Sequence, residues 1–360
     1  MRVLLVDLES EWRGGQSQAL LLLRGLRQRG HDAQLLSASG AVLAERACAA
    51  GVPVHTVTAA FRRPQAARLL RRLVQQFRID LVHANEAHAL TAAWLARAHH
   101  FAPLVASRRV LFPLRSGAIS LARYRAAACI VAVSKAVRAE LCAAGLDASR
   151  IEVVPDGVEL GSPITADERL RARGPWGMAA DAPVAAYVAS LTAEKGHDLL
   201  LDAFAELRKT MTSCRLLLAG SGPLRHSLQE RARAAGLLPA VIFAGFIEEP
   251  RSVYAACDVF LFPSIREGLG SSLLDAMSCA LPVVALQGGS TGDVLEDGRN
   301  SLIVAPAAAP LAAAAMRLLT DKALAGRLGA AARETVDSRF SAAQMIEATA
   351  QIYERLVASR

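Results

Sequence analysis

The chain of 360 residues is 53% hydrophobic and has a formal net charge of +8, with 41 Lys and Arg against 33 Asp and Glu. That length is more than one hydrophobic core usually serves, so two domains are expected. No apolar run approaches the roughly 20 residues of a membrane-spanning helix, which argues against an integral membrane protein. Aromatic residues, at 5%, are too sparse for a nucleic-acid stacking surface.

In chain order, the apolar stretch within Met1 to Leu8 is short, and Asp7, Glu9 and Glu11 interrupt or follow it. It reads as a first buried strand, not a signal peptide, and implies a cytoplasmic chain. A helix through Ala19 to Arg29, the run DAQLLSA, a helix near Val42 to Ala50, VHTV and a helix over Gln65 to Arg78 follow. DLVHA, PLVAS, CIVAVS and IEVVP complete the first half. Short β-branched or Leu-rich runs alternating with helices predict a parallel sheet covered by helices. The polar stretch Glu159 to Asp181 breaks this rhythm, so residues 166–182 are expected to be a linker between domains over 1–165 and 183–340. The rhythm restarts with PVAAYVAS, CRLLLAG, AVIFAG, DVFLFPS, LPVVAL and NSLIVAP, which predicts a second open parallel sheet. A last helix, Ser341 to Ser359, sets Met345, Ile346, Ile352, Tyr353, Leu356 and Val357 roughly on one face. Residues 341–360 are expected to pack on a domain core, with the N-terminal domain as one candidate.

Charge is uneven. Residues 1–156 hold 21 Lys and Arg against 11 Asp and Glu, a net of +10, while the remainder is −2. The first half is suited to meet something acidic, although Arg also outnumbers Lys throughout. The six cysteines, Cys48, Cys129, Cys142, Cys214, Cys257 and Cys279, form no CxxC pair and read as buried free thiols, with no metal site.

In open parallel sheets ligands sit where the loops after the strands converge, so those loops carry the candidate chemistry. After the first strand, Gly14, Gly15 and Gln16 precede a Leu-rich helix. Paired glycines admit close backbone approach and the helix N-terminus favours an anion, though a strand-to-helix turn needs no ligand. After PVAAYVAS come Ser190 and then Glu194-Lys195-Gly196-His197, which places Lys195 to meet a bound phosphate unless it is an ordinary solvated lysine. The next strand ends in Gly220-Ser221-Gly222-Pro223, a turn open to a ligand, but Arg225 stands where a dinucleotide fingerprint needs its third glycine. The strongest stretch is DVFLFPSIREGLGSSLLDAMSCALPVVAL. Its loop carries Glu267, Gly268, Leu269 and Gly270, and a helix opens at Ser271 and Ser272, forming an anion cradle. Glu267 and Asp275, eight apart, are both placed to bond sugar or ribose hydroxyls.

Together with Ile130-Val131-Ala132-Val133-Ser134 and Val153-Val154-Pro155-Asp156-Gly157-Val158, these motifs resemble, over nearly the whole chain, family 4 of the retaining glycosyltransferases. The resemblance implies the GT-B architecture, two facing Rossmann-like domains. It also implies that Lys195 binds the donor diphosphate, Glu267 contacts the transferred sugar and Asp275 holds the ribose. Three positions depart from the pattern. Asp275 stands where glutamate is usual, Ser190 stands where an arginine often precedes the lysine by five residues, and Ser107-Arg108-Arg109-Val110 lacks a histidine found in many members. Arg109 is then a candidate to neutralise a phosphate or bind an acidic acceptor.

Negative charge grows on the departing diphosphate, so the site must supply fixed positive charge. Lys195, the amides near Gly270 to Ser272 and Arg109 are the candidates. No DxD pair occurs, so metal independence is expected, with no cofactor beyond the nucleotide-sugar donor. The acceptor is expected to be a glycan or lipid-linked hydroxyl in lipopolysaccharide or other envelope glycan synthesis. Competing readings are a nucleotide-sugar epimerase of the same fold and a non-catalytic nucleotide-sugar-binding module. The helix over Gln65 to Arg78 puts Arg68, Arg71, Arg72 and Arg78 largely off its apolar stripe. With Arg62, Arg63 and a basic segment from Arg115 to Arg125, it suggests peripheral binding to the inner face of the cytoplasmic membrane. The plain alternative is a helix that buries its stripe against the sheet.

Overall fold

The computed structural model describes residues 1–58, 62–114 and 117–359. The described residues divide into two compact units. Unit 1 comprises Met1–Gly157 with Ala342–Arg360, and unit 2 comprises Val158–Ser341. In unit 1 the strands are β1 (Arg2–Asp7), β2 (Asp32–Ala38), β3 (Val54–Val57), β4 (Leu81–Ala84), β5 (Leu104–Arg108), β6 (Cys129–Ala132) and β7 (Ile151–Val153). They pair in the order β3-β2-β1-β4-β5-β6-β7, all parallel, with Leu4 opposite both Gln34 and Val82. Each run that the sequence marks as a strand is one.

Helices α1 (Gly14–Gln28), α2 (Val42–Ala49), α3 (Arg62–Gln76), α4 (Ala87–Leu95), α5 (Ala118–Arg125) and α6 (Lys135–Ala143) cover this sheet. Local chemistry fixes several of their starts. The Ser134 hydroxyl caps α6 by accepting from Val137 N at 3.2 Å, and the Glu86 carboxylate caps α4. Helix α3 buries Ala66, Ala67, Leu70, Leu73 and Val74 and leaves Arg68, Arg71 and Arg72 in water, so its apolar stripe serves the core. Phe77 lies just beyond the helix end and is 36% exposed. Arg115, named in the basic segment, lies outside the described residues.

Unit 2 holds β8 (Val184–Val188), β9 (Arg215–Ala219), β10 (Val241–Gly245), β11 (Val259–Phe262), β12 (Val283–Leu286) and β13 (Leu302–Val304), parallel in the order β10-β9-β8-β11-β12-β13. Its helices include α7 (Ala166–Arg173), α8 (His197–Thr210), α9 (Arg225–Ala234), α10 (Arg251–Ala256), α11 (Ser271–Ser278), α12 (Thr291–Val294), α13 (Ala308–Thr320) and α14 (Lys322–Arg339). Two Rossmann-like domains are thus present, each with a parallel sheet covered by helices.

The stretch expected to be a linker is instead part of unit 2. Thr165 caps α7, and the buried Arg173 bonds the Asp258 carboxylate at 2.8 Å and the Ala256 carbonyl at 3.0 Å, while Arg169 Nη1 reaches Asp258 at 3.0 Å. The polar composition that looked like a tether comes from this ion-pair network, which holds α7 to α10 and to the start of β11. The chain leaves unit 1 at Gly157, eight residues before the boundary expected at 165. The last helix, α15 (Ala342–Ala358), packs on α1 within unit 1. Gly25 makes this approach possible, since a Cβ there would lie 2.3 Å from Ile346 Cδ1. The Tyr353 hydroxyl bonds the buried His83, whose Nε2 meets Ser107 Oγ at 2.7 Å. The thiols are free, but Cys48 is exposed on α2 and Cys142 half-buried, so neither matches the reading of six buried thiols.

Candidate functional site

In each sheet the strand order reverses at one point, and the crevice outside the strand ends there is where ligands bind open α/β sheets. In unit 2 that point lies between β8 and β11. Lys195 follows β8 and Glu267 follows β11, and the two meet across the switch with Nζ 2.5 Å from Oε1. Both side chains are largely but not fully covered, at 21% and 16% exposure.

The loops around this pair are held by backbone contacts. Gly196 has φ +72, and a Cβ would sit 2.5 Å from the Pro263 carbonyl oxygen, so only glycine lets the Lys195 turn lie against the β11 loop. The Tyr187 hydroxyl donates to the Lys195 carbonyl at 3.2 Å, and Ser264 Oγ donates to the Glu194 carbonyl at 3.2 Å. His197 Nε2 donates to the Ser190 carbonyl at 2.9 Å, and burial holds the imidazole below its ordinary pKa, hence neutral. Ser190 Oγ meets Thr192 Oγ1 at 3.2 Å.

Helix α11 begins beside Glu267. Gly270, at φ +97, is its cap residue, no acidic residue occupies its first turn, and the amides of Ser271 and Ser272 open the helix without a side-chain cap. Gly268 and Leu269 are buried beneath. Asp275, one turn in, is half-buried. Burial pushes its carboxyl up to about 7 against a smaller opposing pull from the Tyr254 hydroxyl.

Other expected residues have different duties. Gly220 and Gly222 face the neighbouring loop: a Cβ would fall 1.8 Å from the Ala189 carbonyl oxygen and 2.5 Å from that of Leu191. The Gly220 amide is itself bonded to the Gly245 carbonyl at 2.7 Å. These glycines let two loops pack, which the reading of an open turn for ligand approach did not anticipate. In unit 1, Gln16 turns inward and donates to the buried Asp7 carboxylate at 3.0 Å, which Asn85 Nδ2 also reaches at 2.7 Å. Gly14 opens α1, and the Gly15 carbonyl accepts from Asn85 at 3.2 Å. Arg109, expected as a cation for phosphate, bonds Asp156 at 3.0 Å and Asn85 Oδ1 at 2.6 Å, so its charge is already matched. The sequence reading missed Asp7, Asn85 and Asp156 as a network. It also missed the Gly288-Gly289-Ser290 loop after β12, where Ser290 Oγ donates to the Glu267 carbonyl at 3.0 Å and Gly289 lies against Ile265. A second paired glycine at a strand end was the available signal.

Residues 168–335 match the family Glycosyl transferases group 1, and residues 12–162 match Glycosyltransferase Family 4. The chain is 30% identical over 311 residues to a GDP-mannose-dependent alpha-(1-6)-phosphatidylinositol monomannoside mannosyltransferase of Mycolicibacterium smegmatis, covering 80% of each. It is 31% identical over 192 residues to the putative glycosyltransferase EpsD of Bacillus subtilis, where the match covers 53% of this chain and spans 50% of that protein. In fold it is similar to the crystal structure of Anabaena HepE in complex with UDP and glucose, with a TM-score of 0.87 and 22% identity, covering 98% of this chain and 99% of that one. The chain belongs to the glycosyltransferases of GT-B fold.

Proposed function

We propose that the protein is a retaining, metal-independent family 4 glycosyltransferase that moves a sugar from a nucleotide diphosphate donor to a hydroxyl of a glycan or lipid-linked acceptor in envelope glycan synthesis. The observation that carries this reading is the Lys195–Glu267 pair at the switch point of unit 2, beside the uncapped start of α11. A diphosphate arriving there takes over Lys195 Nζ and the amides of Ser271 and Ser272 and frees the Glu267 carboxylate for a sugar hydroxyl. Negative charge growing on the leaving phosphate is met by the ammonium and amides already in place. Asp275 accepts from the ribose. In this reading the donor phosphate takes the acceptor proton, so no enzymic nucleophile is assigned. Arg109, paired to Asp156, shapes unit 1. Gly220 and Gly222 serve by letting their loop pack against the one that carries Ser190.

Similarity to a mannosyltransferase whose name specifies a phosphatidylinositol monomannoside supports a lipid-linked acceptor. No helix among the described residues is long and apolar enough to cross a membrane. The exposed Arg68, Arg71 and Arg72 suit peripheral, salt-sensitive contact with the inner face of the cytoplasmic membrane. The deciding experiment is a thermal-shift panel of nucleotide sugars followed by product analysis with the preferred donor. Stabilisation by a nucleotide sugar and a product with the donor's anomeric configuration are expected. An inverted product or no transfer would overturn the assignment. Cosedimentation with anionic but not neutral vesicles at low salt, lost on charge reversal of the three arginines, is the expected result for the membrane contact.

A further inference from the structure

The switch point of unit 1 lies between β1 and β4, and the charges around it are unlike those of unit 2. Three arginines gather there, and each is bonded to neutral groups. Arg63 Nε donates to His88 Nδ1 at 2.8 Å, Arg62 Nη1 donates to the Leu8 carbonyl at 2.8 Å, and Arg123 donates to the Thr91 hydroxyl and, at 3.4 Å, to Ser120 Oγ. His88 and Thr91 are one turn apart on α4, which packs against both α3 and α5, so one helix holds the Arg63 and Arg123 guanidiniums while Arg62 reaches the loop after β1. Arg123 Nε is buried with no partner among the described residues. By contrast Arg169, Arg173, Arg251 and Arg109 all bond carboxylates.

The acids nearby do not neutralise this group. Both Glu86 oxygens are taken by the amides of Leu8, His88 and Ala89, and burial, together with Asp7, pushes that carboxyl up to about 7. Glu9 is 37% exposed and lies 3.4 Å from His88 Nε2. Burial and then the Arg63 guanidinium, with Arg62 and Arg123 behind it and Glu9 opposing, hold His88 below its ordinary range, so a neutral ring accepts from Arg63. Glu9, Glu86 and His88 bring ligand atoms within 4.8 Å of one another, but their committed oxygens, the His88–Arg63 bond and the arginines around them disfavour a cation. A guanidinium fork fits a phosphate two bonds at a time, and an imidazole or carbonyl fills it poorly.

We infer that Arg62, Arg63 and Arg123 form a binding site for a phosphate group carried by the acceptor, with His88 holding Arg63 in position until that group arrives. The inference rests on the glycosyltransferase reading and adds a substrate class to it: acceptors that bear a phosphate group. Three guanidiniums beside the exposed Glu9 leave a surplus of positive charge, which suits a phosphate group.

The test is calorimetric titration of the full chain with inorganic phosphate in a Lys195→Ala background, which silences the donor-side cation. Saturable binding is expected, weakened about tenfold or more by Arg63→Gln and further by Arg62→Gln with Arg63→Gln. Arg138→Gln, an exposed arginine on α6, should leave it unchanged. No saturable binding, or equal affinity in the double variant, would overturn the site. Glucose 1-phosphate and phosphatidic acid vesicles then compete for the bound phosphate. Displacement by the vesicles alone assigns the group to a lipid headgroup and by the sugar phosphate alone to a soluble acceptor, while displacement by neither counts against the site. Phosphate binding needs no turnover, so its absence with donor hydrolysis intact in the wild-type chain sinks this site alone. Intact phosphate binding with no donor turnover sinks the transferase reading alone.

Discussion

Both units place an ion pair at the C-terminal ends of their strands, Lys195 with Glu267 at 2.5 Å in unit 2 and Arg109 with Asp156 at 3.0 Å in unit 1. Their surroundings differ. Lys195 Nζ bonds Glu267, and its flexible stem can carry it to another anion at the loss of that one bond. Arg109 also bonds Asn85, which bonds the fully buried Asp7, and Asp156 is buried as well. Pulling Arg109 away would leave the Asp156 carboxylate unpaired in a poorly solvated place, which costs far more than the exchange at Lys195. The pair that is cheap to exchange is the better candidate for substrate, and the pair that is costly to break is the better candidate for structure.

The comparison breaks most visibly on Lys195→Ala. Turnover should fall about 100-fold or more, as for loss of a transition-state charge partner, with the far-UV circular dichroism unchanged. Near-normal turnover would make the two pairs equivalent. Glu267→Gln keeps the shape and weakens a charge-assisted bond, so transfer and donor hydrolysis should both drop by about tenfold or more while free nucleoside diphosphate still binds. Equal loss of nucleotide binding would move Glu267 to the ribose or phosphate.

Arg109→Ala should act on stability instead. Removing one partner of a buried pair costs about 3 kcal/mol, read as a lower urea midpoint, while turnover below the transition falls by less than about tenfold. A 100-fold loss of turnover without destabilisation would return Arg109 to the chemistry.

The smallest effect concerns Asp275, whose folded pKa of about 7 lies above its ordinary value of 3.8. As pH rises from about 4 to 7 the unfolded carboxyl ionises while the folded one stays protonated, so ionisation increasingly favours unfolding, and the penalty levels off above 7. Asp275→Asn should therefore raise Tm by an amount that grows from pH 4 to 7 and is flat beyond. If the carboxylate accepts from the ribose, nucleotide affinity should rise a few-fold between pH 6 and 8 in the natural protein and not in the variant.

Periodicity and turn chemistry are local, so the strands of both sheets, the helix over the Arg68 to Arg72 face and the glycine at position 196 were all readable from the chain. The same locality explains the errors. Polar residues from 166 to 182 look like a tether until Asp258, 85 residues beyond Arg173, is seen to hold them. Gln16 looks like a ligand contact until Asp7 is found beneath it.

What the sequence by itself determined was the set of parts: two runs of alternating strands and helices, Lys195 and Glu267 in loops after strands, and a basic first half. What only the tertiary structure decided was which charges meet. Lys195 and Glu267 are 72 residues apart and touch because β8 and β11 are neighbours at the switch point. Arg109 is committed to Asp156, whereas Arg62, Arg63 and Arg123 are turned toward neutral acceptors. Strand order depends on how whole helices pack on a sheet, and the partner of a charge follows from that order and not from its neighbours in the chain.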